Sequence, residues 1–537
     1  MKGDFQMTTF SDRLKEAMYA QNLKQIDLVH IAAENNVKLG KSHVSQYVSG
    51  KTVPRNDILH FLADTLHVDA DWLLGDSQEN FTARENNSVA PKAPSTTKTS
   101  GSVGTSNSSK RGTTPMKKTI TDKNDNDNAG SSAMHIFKKS SKLDNVLYDV
   151  RGPVVEEAAR MEERGTHVLK LNIGNPAPFG FRTPDEVIYD MSQQLSDCEG
   201  YSPSQGLFSA RKAIMQYSQI KKLPNVTISD IYTGNGVSEL INLCMSALLD
   251  NGDEILIPSP DYPLWTACAT LAGGKAVHYI CDEQSDWYPD IEDMRRKITD
   301  RTKALVIINP NNPTGYLYTR REMNQIRDLV KKYDLFLFSD EVYREFIYTG
   351  SPYISACHLE GIENNVVLID SVSKRYSECG IRIGALITKN KEIRDAVMKF
   401  CQARLSPPLI GQIAAEASLD APEEYSRETY DEYVERRKCL IDGLNRIPGV
   451  YSPIPMGAFY TVAKLPVDDS DKFCAWCLSD FEYEGQTVFM APASGFYTTP
   501  GSGINEVRIA YVLKKEDLTR ALFVLQKALE AYPGRTE

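Results

Sequence analysis

Hydrophobic and polar residues follow three different patterns along this 537-residue chain. Residues 10–75 carry apolar side chains at helical spacing. Residues 77–132 are rich in Ser, Thr, Asn, Lys and Gly and contain few apolar side chains. From about residue 135 onward, short apolar runs alternate with charged segments of helical periodicity. The pattern predicts a small helical domain at 10–76, a disordered linker at 77–132 and a larger domain at 135–537.

The apolar runs of the third region have the length of buried strands. The clearest are Ala-Leu-Val-Ile-Ile at 304–308, Leu-Phe-Leu-Phe at 335–338 and Val-Val-Leu-Ile at 366–369. Continuous apolar strands separated by helices are typical of an α/β fold with a mostly parallel, buried sheet. Because ligands bind at the carboxyl ends of such strands, the polar residues after each run are the first candidates for a functional site.

One of these runs ends in a hydroxyl-rich turn that contains a lysine. Ser371, Ser373 and Lys374 follow the strand at 366–369, and Arg382 lies eight residues beyond the lysine. A lysine amine can hold an aldehyde cofactor as a Schiff base, while hydroxyls and a guanidinium hold its phosphate. The combination points to pyridoxal 5′-phosphate (PLP). A solvated lysine at a strand end explains this stretch, taken alone, equally well.

Polar residues also follow the other two apolar runs. Asn312 lies in a loop with two prolines and a glycine, at 309–315, which can direct an amide toward a ring substituent. Asp340 follows the strand at 335–338. A carboxylate in this position can pair with a pyridinium nitrogen and keep it protonated.

Three further segments fit the same cofactor. Gly234 and Gly236 precede a predicted helix at 240–249, and backbone N–H groups at a helix start can bind phosphate. Tyr262 can stack on a ring, and Arg508, in a strand-like run, can bind a carboxylate through two hydrogen bonds. Each feature has an ordinary explanation as a turn, a cap or a salt bridge. Their joint occurrence at strand ends favours the cofactor.

Together these motifs resemble the fold-type I, class I/II PLP-dependent aminotransferases over about residues 140–532. Segments 148–153, 171–181, 234–240 and 261–266 are most similar to the bacterial glutamate–pyruvate (alanine) aminotransferases. The resemblance implies an α/β PLP-transferase fold with a large mixed, mostly parallel sheet domain and a smaller α+β domain. It also implies a homodimer that transaminates a small amino acid, with alanine and 2-oxoglutarate giving pyruvate and glutamate.

The resemblance gives each motif residue a role. Lys374 would be the Schiff-base lysine and the base that moves the α-proton, and Asp340 would pair with the pyridine nitrogen. Asn312 and Tyr343 would bond the phenolic oxygen of the ring, on which Tyr262 would stack. The other implied ligands are Val237, Ser238, Ser371, Ser373, Arg382 and Tyr201 of the partner subunit for the phosphate; Gly174, Asn312 and Arg508 for the substrate carboxylate; and Tyr148 and Arg151 for the substrate side chain.

The helical domain at 10–76 contains a second motif. Residues 23–29 form one predicted helix, and a second is predicted to be capped by Ser42 and ended by Gly50, with Val44 and Val48 facing inward. Residues that could contact base edges or phosphates are Ser42, His43, Ser45, Gln46 and Ser49, with Lys41, Lys51 and Arg55 at the flanks.

Gln25, the segment 44–47 and Ser49-Gly50-Lys51-x-x-Pro54 resemble the Cro/C1-type (XRE) helix-turn-helix family, which implies DNA binding. Residues 1–76 hold 8 Lys and Arg against 10 Asp and Glu, a balance of −2 that weakens attraction to phosphate. A helical bundle that binds protein is therefore the alternative.

Composition limits the class of protein further. A net charge of −10 argues against a surface built entirely for nucleic acid. No apolar stretch approaches the ~20 residues that span a bilayer, and no secretory segment is visible, so a cytoplasmic protein is expected. The ten cysteines are expected to be reduced core thiols, and the pair Cys474 and Cys477 to lie on a helix without a metal.

Two other functions stay open beside transamination. One is a transcriptional regulator that senses an amino acid or PLP through an aminotransferase-like domain, and the other is a PLP-dependent C–S lyase. An intact residue set favours catalysis, since a sensor could lose Arg508 or Asp340, whereas the fused helical domain favours regulation. The sequence therefore predicts an enzyme that carries a regulatory head.

Overall fold

The computed structural model describes residues 9–21, 23–35, 37–74, 138–146, 153–350 and 352–536. The chain divides into two compact units, residues 1–129 and 130–537. The predicted linker at 77–132 and the predicted substrate contacts Tyr148 and Arg151 lie outside the described residues.

The described part of the first unit is helical. Its helices are α1 Phe10–Ala20, α2 Gln25–Glu34, α3 Lys41–Val48, α4 Asn56–Leu66 and α5 Ala70–Leu74. They bury a common core that includes Leu14, Leu28, Val44 and Leu62. Apolar residues at helical spacing on each segment create this core, because each helix has one stripe that must be removed from water.

The prediction that Ser42 caps α3 is wrong. Gly40 occupies the N-cap position in an extended conformation, and its carbonyl accepts the N–H groups of His43 and Val44. The His43 ring nitrogen Nδ1 accepts the Gly40 N–H at 3.4 Å, so the chain enters the helix two residues earlier. Gly50, with φ +74°, follows the last turn and ends the helix as predicted.

The second unit alternates helices and strands. Its helices are α6 Pro153–Glu163, α7 Asp185–Gln193, α8 Phe208–Ile220, α9 Gly236–Leu248, α10 Leu264–Ala272, α11 Ile291–Lys297, α12 Arg320–Tyr333, α13 Val372–Arg375, α14 Lys391–Ala403, α15 Leu409–Ala417, α16 Glu423–Leu444, α17 Ser470–Ser479 and α18 Lys515–Ala531. Its strands are β1 His167–Lys170, β2 Ile231–Asn235, β3 Glu254–Ser259, β4 Lys275–Asp282, β5 Tyr288–Pro289, β6 Thr302–Ile308, β7 Phe336–Asp340, β8 Val366–Ser371, β9 Ile383–Thr388, β10 Tyr460–Lys464, β11 Gln486–Phe489, β12 Ala491–Pro492 and β13 Glu506–Ala510.

Eight strands form one large sheet in the order β2-β9-β8-β7-β6-β3-β4-β5. The central strands from β8 to β4 are parallel, whereas β9 runs antiparallel to both β2 and β8, and β5 antiparallel to β4. Val306 and Ile308 pack into one core and Leu305 and Ile307 into another, so both faces are covered. The predicted large mixed sheet, parallel at its centre, is confirmed.

Two smaller sheets complete the second unit. The strands β10, β13 and β12 form an antiparallel sheet with β13 in the middle, and β1 pairs with β11 in parallel. Residues of β10 and β13 share a separate apolar core with α16, α17 and α18. This core is the smaller α+β part that the sequence predicts.

The cysteines and the helices show no further special chemistry among the described residues. All ten cysteines are free thiols, and Cys474 and Cys477 lie buried on α17, where burial raises the pKa of both. Within the described ranges, no group of His, Cys, Asp and Glu side chains could hold a metal ion. No helix among the same residues is long and apolar enough to cross a bilayer.

Candidate active site

The carboxyl ends of β3, β6, β7 and β8 meet at one edge of the large sheet. These strands are adjacent and parallel, with Asp340 in register with Ile308 on one side and Ile369 on the other. The segments that follow them carry Tyr262, Asn312, Tyr343 and Lys374. Parallel pairing therefore brings together residues more than 100 positions apart in the sequence.

Lys374 lies in the short helix α13, which directly follows β8. Its Nζ donates a hydrogen bond to the Gly174 carbonyl at 2.8 Å and lies 3.6 Å from the Cys379 Sγ. The ring of Phe459 is 5.9 Å away. The half-buried amine thus has defined contacts, which favours a functional lysine over a solvated lysine at a strand end.

A cradle suited to an anion adjoins the lysine. Gly236 begins α9 with φ +73°, and a Cβ there would lie 2.1 Å from Arg382 Nη2. A Cβ at Gly384 would lie 2.7 Å from the Val237 amide nitrogen. Glycine at both positions lets the Arg382 guanidinium and the first backbone amides of α9 approach the same space. The start of a helix attracts phosphate, because its free N–H groups carry partial positive charge.

Two serine hydroxyls complete the cradle. The Ser371 Oγ lies 2.9 Å from both the Ser373 Oγ and the Ile383 carbonyl oxygen, and it accepts the Ser373 N–H at 3.0 Å. The structure therefore groups Ser371 and Ser373 on the Lys374 turn, beside β9. The helix that carries Val237 and Ser238 begins four residues before the predicted position 240.

Asp340 is the buried carboxyl of the site. The Trp265 Nε1 donates to its Oδ2 and the Val342 N–H to its Oδ1, both at 3.4 Å. Removal from water raises the pKa of Asp340 to about 7. A cationic N–H placed against this carboxyl would favour its charged form and offset the cost of burial.

Arg508 forms the opposite side of the site. It lies in the central strand β13 of the small antiparallel sheet. Its Nη2 donates to the Asn172 carbonyl at 2.6 Å and its Nη1 to the Asn312 Oδ1 at 3.4 Å. The rings of Tyr460 and Phe496 each lie 4.9 Å from its guanidinium carbon. Two aromatic faces hold the guanidinium, while its buried Nε has no hydrogen-bond partner among the described residues.

Sequence reasoning missed two residues of this site. Trp265 bonds Asp340, although the sequence suggested only that its segment carries a family resemblance. The Tyr460 hydroxyl accepts a hydrogen bond from the Tyr343 hydroxyl at 3.2 Å. Tyr460 stands in an apolar strand, where nothing in the pattern distinguishes it from a core residue.

Not every predicted residue joins the cluster. Tyr201 precedes α8 and its side chain is 81% exposed, so this chain alone does not bring it into the site. Tyr262, by contrast, follows β3 at the shared edge, where it is half-buried and packs against the core that contains α9 and α10.

Known proteins share this fold and much of this sequence. The family model described as aminotransferase class I and II matches residues 166–525. The glutamate-pyruvate aminotransferase AlaA of Escherichia coli is 44% identical over 339 residues, which cover 62% of this chain and 84% of that protein. The alanine aminotransferase of Mycobacterium tuberculosis is 40% identical over 420 residues, or 75% of this chain and 95% of that protein. The structure of an alanine aminotransferase from Pyrococcus furiosus covers 74% of this chain and 100% of its own, with a TM-score of 0.68 and 34% identity.

The residues of the site fit PLP. The glycine-lined cradle beside Arg382 can take its phosphate, since a side chain at Gly236 would fill that space. The buried Asp340 can face a ring nitrogen, and the Lys374 amine can hold an aldehyde carbon.

Proposed function

Because this chain belongs to the aminotransferase class I and II family and is a PLP-dependent aminotransferase, we propose that it transfers the amino group of alanine to 2-oxoglutarate. The products are pyruvate and glutamate. The observation that carries this proposal is the convergence of Lys374 and Arg508 on one short segment. The amine bonds the Gly174 carbonyl and the guanidinium bonds the Asn172 carbonyl, two residues apart.

This geometry suits an α-amino acid. A substrate carboxylate bound by Arg508 and Asn312 would place the α-carbon on the side of the Lys374 amine. Arg508 is buried and held by two aromatic faces, so its fork is fixed before the substrate arrives. Lys374 would move the α-proton, since its amine is held at the Gly174 carbonyl on this side of the site.

When bound, PLP supplies an electron-withdrawing ring that makes the α-proton of an attached amino acid acidic. Asp340 would keep the ring nitrogen protonated, and Asn312 and Tyr343 would bond the phenolic oxygen. Val237, Ser238, Ser371, Ser373 and Arg382 would hold the phosphate. Tyr262 would stack on the ring and exclude water from that face.

Alanine is proposed as the donor because relatives that share 40–44% identity bear the names alanine or glutamate-pyruvate aminotransferase. Tyr148 and Arg151, the proposed contacts of the small side chain, lie outside the described residues. Tyr201 lies in the segment before α8 and is exposed. Its exposure supports a role in the phosphate site of the second copy in a homodimer, because the side chain is free to reach another subunit.

The test is a substrate panel on the purified protein. We expect alanine with 2-oxoglutarate to yield pyruvate and glutamate, and Lys374→Ala to lose the absorbance of the lysine-bound cofactor. Absence of turnover with alanine, glutamate, aspartate and aromatic amino acids would favour the sensor. Pyruvate and ammonia released from a cysteine conjugate without any 2-oxo acid would favour the C–S lyase.

We also propose that the first unit binds DNA through α3. In support, Val44 and Tyr47 are buried whereas Ser42, His43, Ser45, Gln46 and Ser49 are exposed, so one face of α3 is polar and accessible. Lys41, Lys51 and Arg55 lie at its flanks and are exposed too. Enrichment of genomic fragments by the full chain, lost when residues 1–76 are deleted, is the expected result. Equal enrichment by both proteins would remove this proposal and favour a protein-binding bundle.

A further inference from the structure

Tyr460 joins the two halves of the candidate site, although the proposed function gives it no role. Its hydroxyl accepts the hydrogen bond from Tyr343, and the face of its ring lies 4.9 Å from the guanidinium carbon of Arg508. The side chain is only 3% exposed. One residue therefore touches both the proposed ligand of the cofactor ring and the proposed ligand of the substrate carboxylate.

The small sheet fixes this position. Strand β10 pairs with β13 so that Val462 lies opposite Arg508 and Tyr460 lies opposite Ala510. Tyr460 is thus two residues from the position opposite Arg508 and points to the same face of the sheet. Diagonal neighbours of this kind are within reach of an aromatic ring.

The hydroxyl of Tyr460 also lies against the backbone that holds the lysine. A Cβ at Gly174 would be only 1.7 Å from the Tyr460 hydroxyl oxygen, so this position requires a glycine. The carbonyl of the same glycine accepts the hydrogen bond from Lys374 Nζ. The Tyr460 hydroxyl is therefore surrounded by groups of the site.

We propose that Tyr460 is a positioning residue for transamination, whose hydroxyl orients the Tyr343 proton and whose ring supports Arg508. This role rests on the proposed function, which assigns Tyr343 to the cofactor and Arg508 to the substrate. A phenol donates one proton and accepts others, so Tyr460 can donate to Tyr343 whenever Tyr343 donates elsewhere. Donation from Tyr460 to Tyr343 strengthens Tyr343 as a donor. Attraction between the Arg508 guanidinium and the Tyr460 ring keeps Arg508 in position.

Two substitutions separate the two parts of this role. Tyr460→Phe removes the hydroxyl and keeps the ring, whereas Tyr460→Leu removes both. The absorbance of the lysine-bound cofactor reports its deprotonation as the pH rises. In holoenzyme, we expect Tyr460→Phe to raise the midpoint of this change by about half to one pH unit. Without the Tyr460 hydroxyl, Tyr343 becomes a weaker donor to the cofactor and stabilises its deprotonated form less. Its KM for alanine should stay near that of wild type. Tyr460→Leu should show the same midpoint shift and raise KM by about tenfold.

The chain offers a matched control. The Tyr318 hydroxyl lies 3.2 Å from the Tyr279 hydroxyl, and Tyr318 is also 3% exposed, but this pair lies in the core of the large sheet. If Tyr460 were only structural, Tyr460→Phe and Tyr318→Phe would lower the thermal unfolding temperature alike and neither would move the midpoint. We expect the midpoint to move in Tyr460→Phe alone.

Three outcomes would overturn the role of Tyr460: an unchanged midpoint in Tyr460→Phe, an equal shift in Tyr318→Phe, or an unchanged KM in Tyr460→Leu. Failure of the proposed function looks different. If Lys374→Ala keeps the absorbance of wild type, the assignment of the lysine itself is wrong. If that absorbance depends on Lys374 but not on Tyr460, only the present inference fails.

Discussion

The carboxyl edge of the large sheet and the outer face of α3 both present polar side chains on an apolar scaffold. At the sheet edge these side chains are buried or half-buried, and several of them bond one another, as Tyr343 does with Tyr460 and Arg508 with Asn312. On α3 they are exposed, and bonds such as that from Thr52 to Gln46 remain within the same segment. A buried polar group must have a partner, whereas an exposed one bonds water at little cost.

This difference in burial sets how strongly a substitution in each region should affect the protein. A side chain at the sheet edge has few acceptable replacements, because each change leaves another buried group without its partner. An exposed side chain on α3 can be replaced without loss of folding, so its replacement should affect only the binding of a partner that it contacts. We therefore expect substitutions at the sheet edge to have large effects on activity, and substitutions on α3 to affect binding alone.

Replacement of Asp340 gives the largest effect expected from this comparison. Asp340→Asn keeps the shape of the side chain but removes the charge that would face the ring nitrogen, and we expect kcat/KM to fall by about 10²- to 10³-fold. Steady-state kinetics with alanine and 2-oxoglutarate measure this loss. Glu378→Gln is the matched control, since Glu378 is also buried but its carboxyl accepts its hydrogen bonds from the Ser418 hydroxyl.

We expect Glu378→Gln to retain kcat/KM within about twofold at pH 7. Burial raises the pKa of Glu378 to about 8, so its carboxyl is protonated there and a neutral amide resembles it. An equal loss in both variants would show that any buried carboxyl near Lys374 matters, and it would remove the special role of Asp340.

The fold was more predictable than the site, for a physical reason. The runs at 304–308 and 366–369 lie in β6 and β8, and the run at 335–338 enters β7 at residue 336, because a strand covered on both faces is apolar along most of its length. Lys374, Asp340 and Asn312 were predicted as site residues because each follows such a run. Tyr460 and Trp265 were not, since a tyrosine or tryptophan in an apolar segment is usual in a core, and only tertiary contacts show what its polar atom meets.

The N-cap of α3 was predicted at the wrong residue. Ser42 has the residue type of a cap, but Gly40 holds the position because the His43 ring accepts its N–H. Side chains at a helix start compete for the same few backbone groups, so the residue type alone does not decide which of them wins.

The pH dependence of stability tests burial at the sheet edge directly. The pKa of Glu378 rises from its ordinary value of 4.5 to about 8 in the folded protein, so the folded state holds this proton more tightly. Its contribution is complete below pH 4.5 and is lost as the pH rises toward 8. We expect the free energy of unfolding of wild type to fall by about 4 kcal/mol more than that of Glu378→Gln across this window.

Chemical denaturation of both proteins at several pH values measures this difference. Asp261 and Asp340, whose pKa burial raises to about 7, contribute in the same direction to both proteins and cancel in the comparison. Parallel curves for wild type and Glu378→Gln would mean that Glu378 is solvated in solution and that this part of the edge is open.

Arg508→Lys probes the side of the site made by the small sheet. Lysine keeps the positive charge but loses the planar fork that bonds Asn172 and Asn312 and lies between the rings of Tyr460 and Phe496. We expect KM for alanine to rise by about 10- to 100-fold with a smaller change in kcat. A change confined to kcat would show that Arg508 acts on the chemical step and not on substrate binding.

Gln46→Ala on α3 gives the smallest expected effect and the sharpest contrast with the sheet edge. Gln46 is exposed, and its side-chain oxygen accepts a 3.4 Å hydrogen bond from the Thr52 hydroxyl, so the loss of this side chain should change the free energy of unfolding by less than about 0.5 kcal/mol. If α3 contacts base edges, the substitution should weaken binding to enriched genomic fragments by about tenfold at fixed salt and leave aminotransferase turnover unchanged. His60→Ala, on an exposed position of α4, controls for general surface effects. Equal binding by wild type and both variants would mean that the polar face of α3 meets a protein or only solvent, because an exposed side chain that contacts nothing has no free energy to lose.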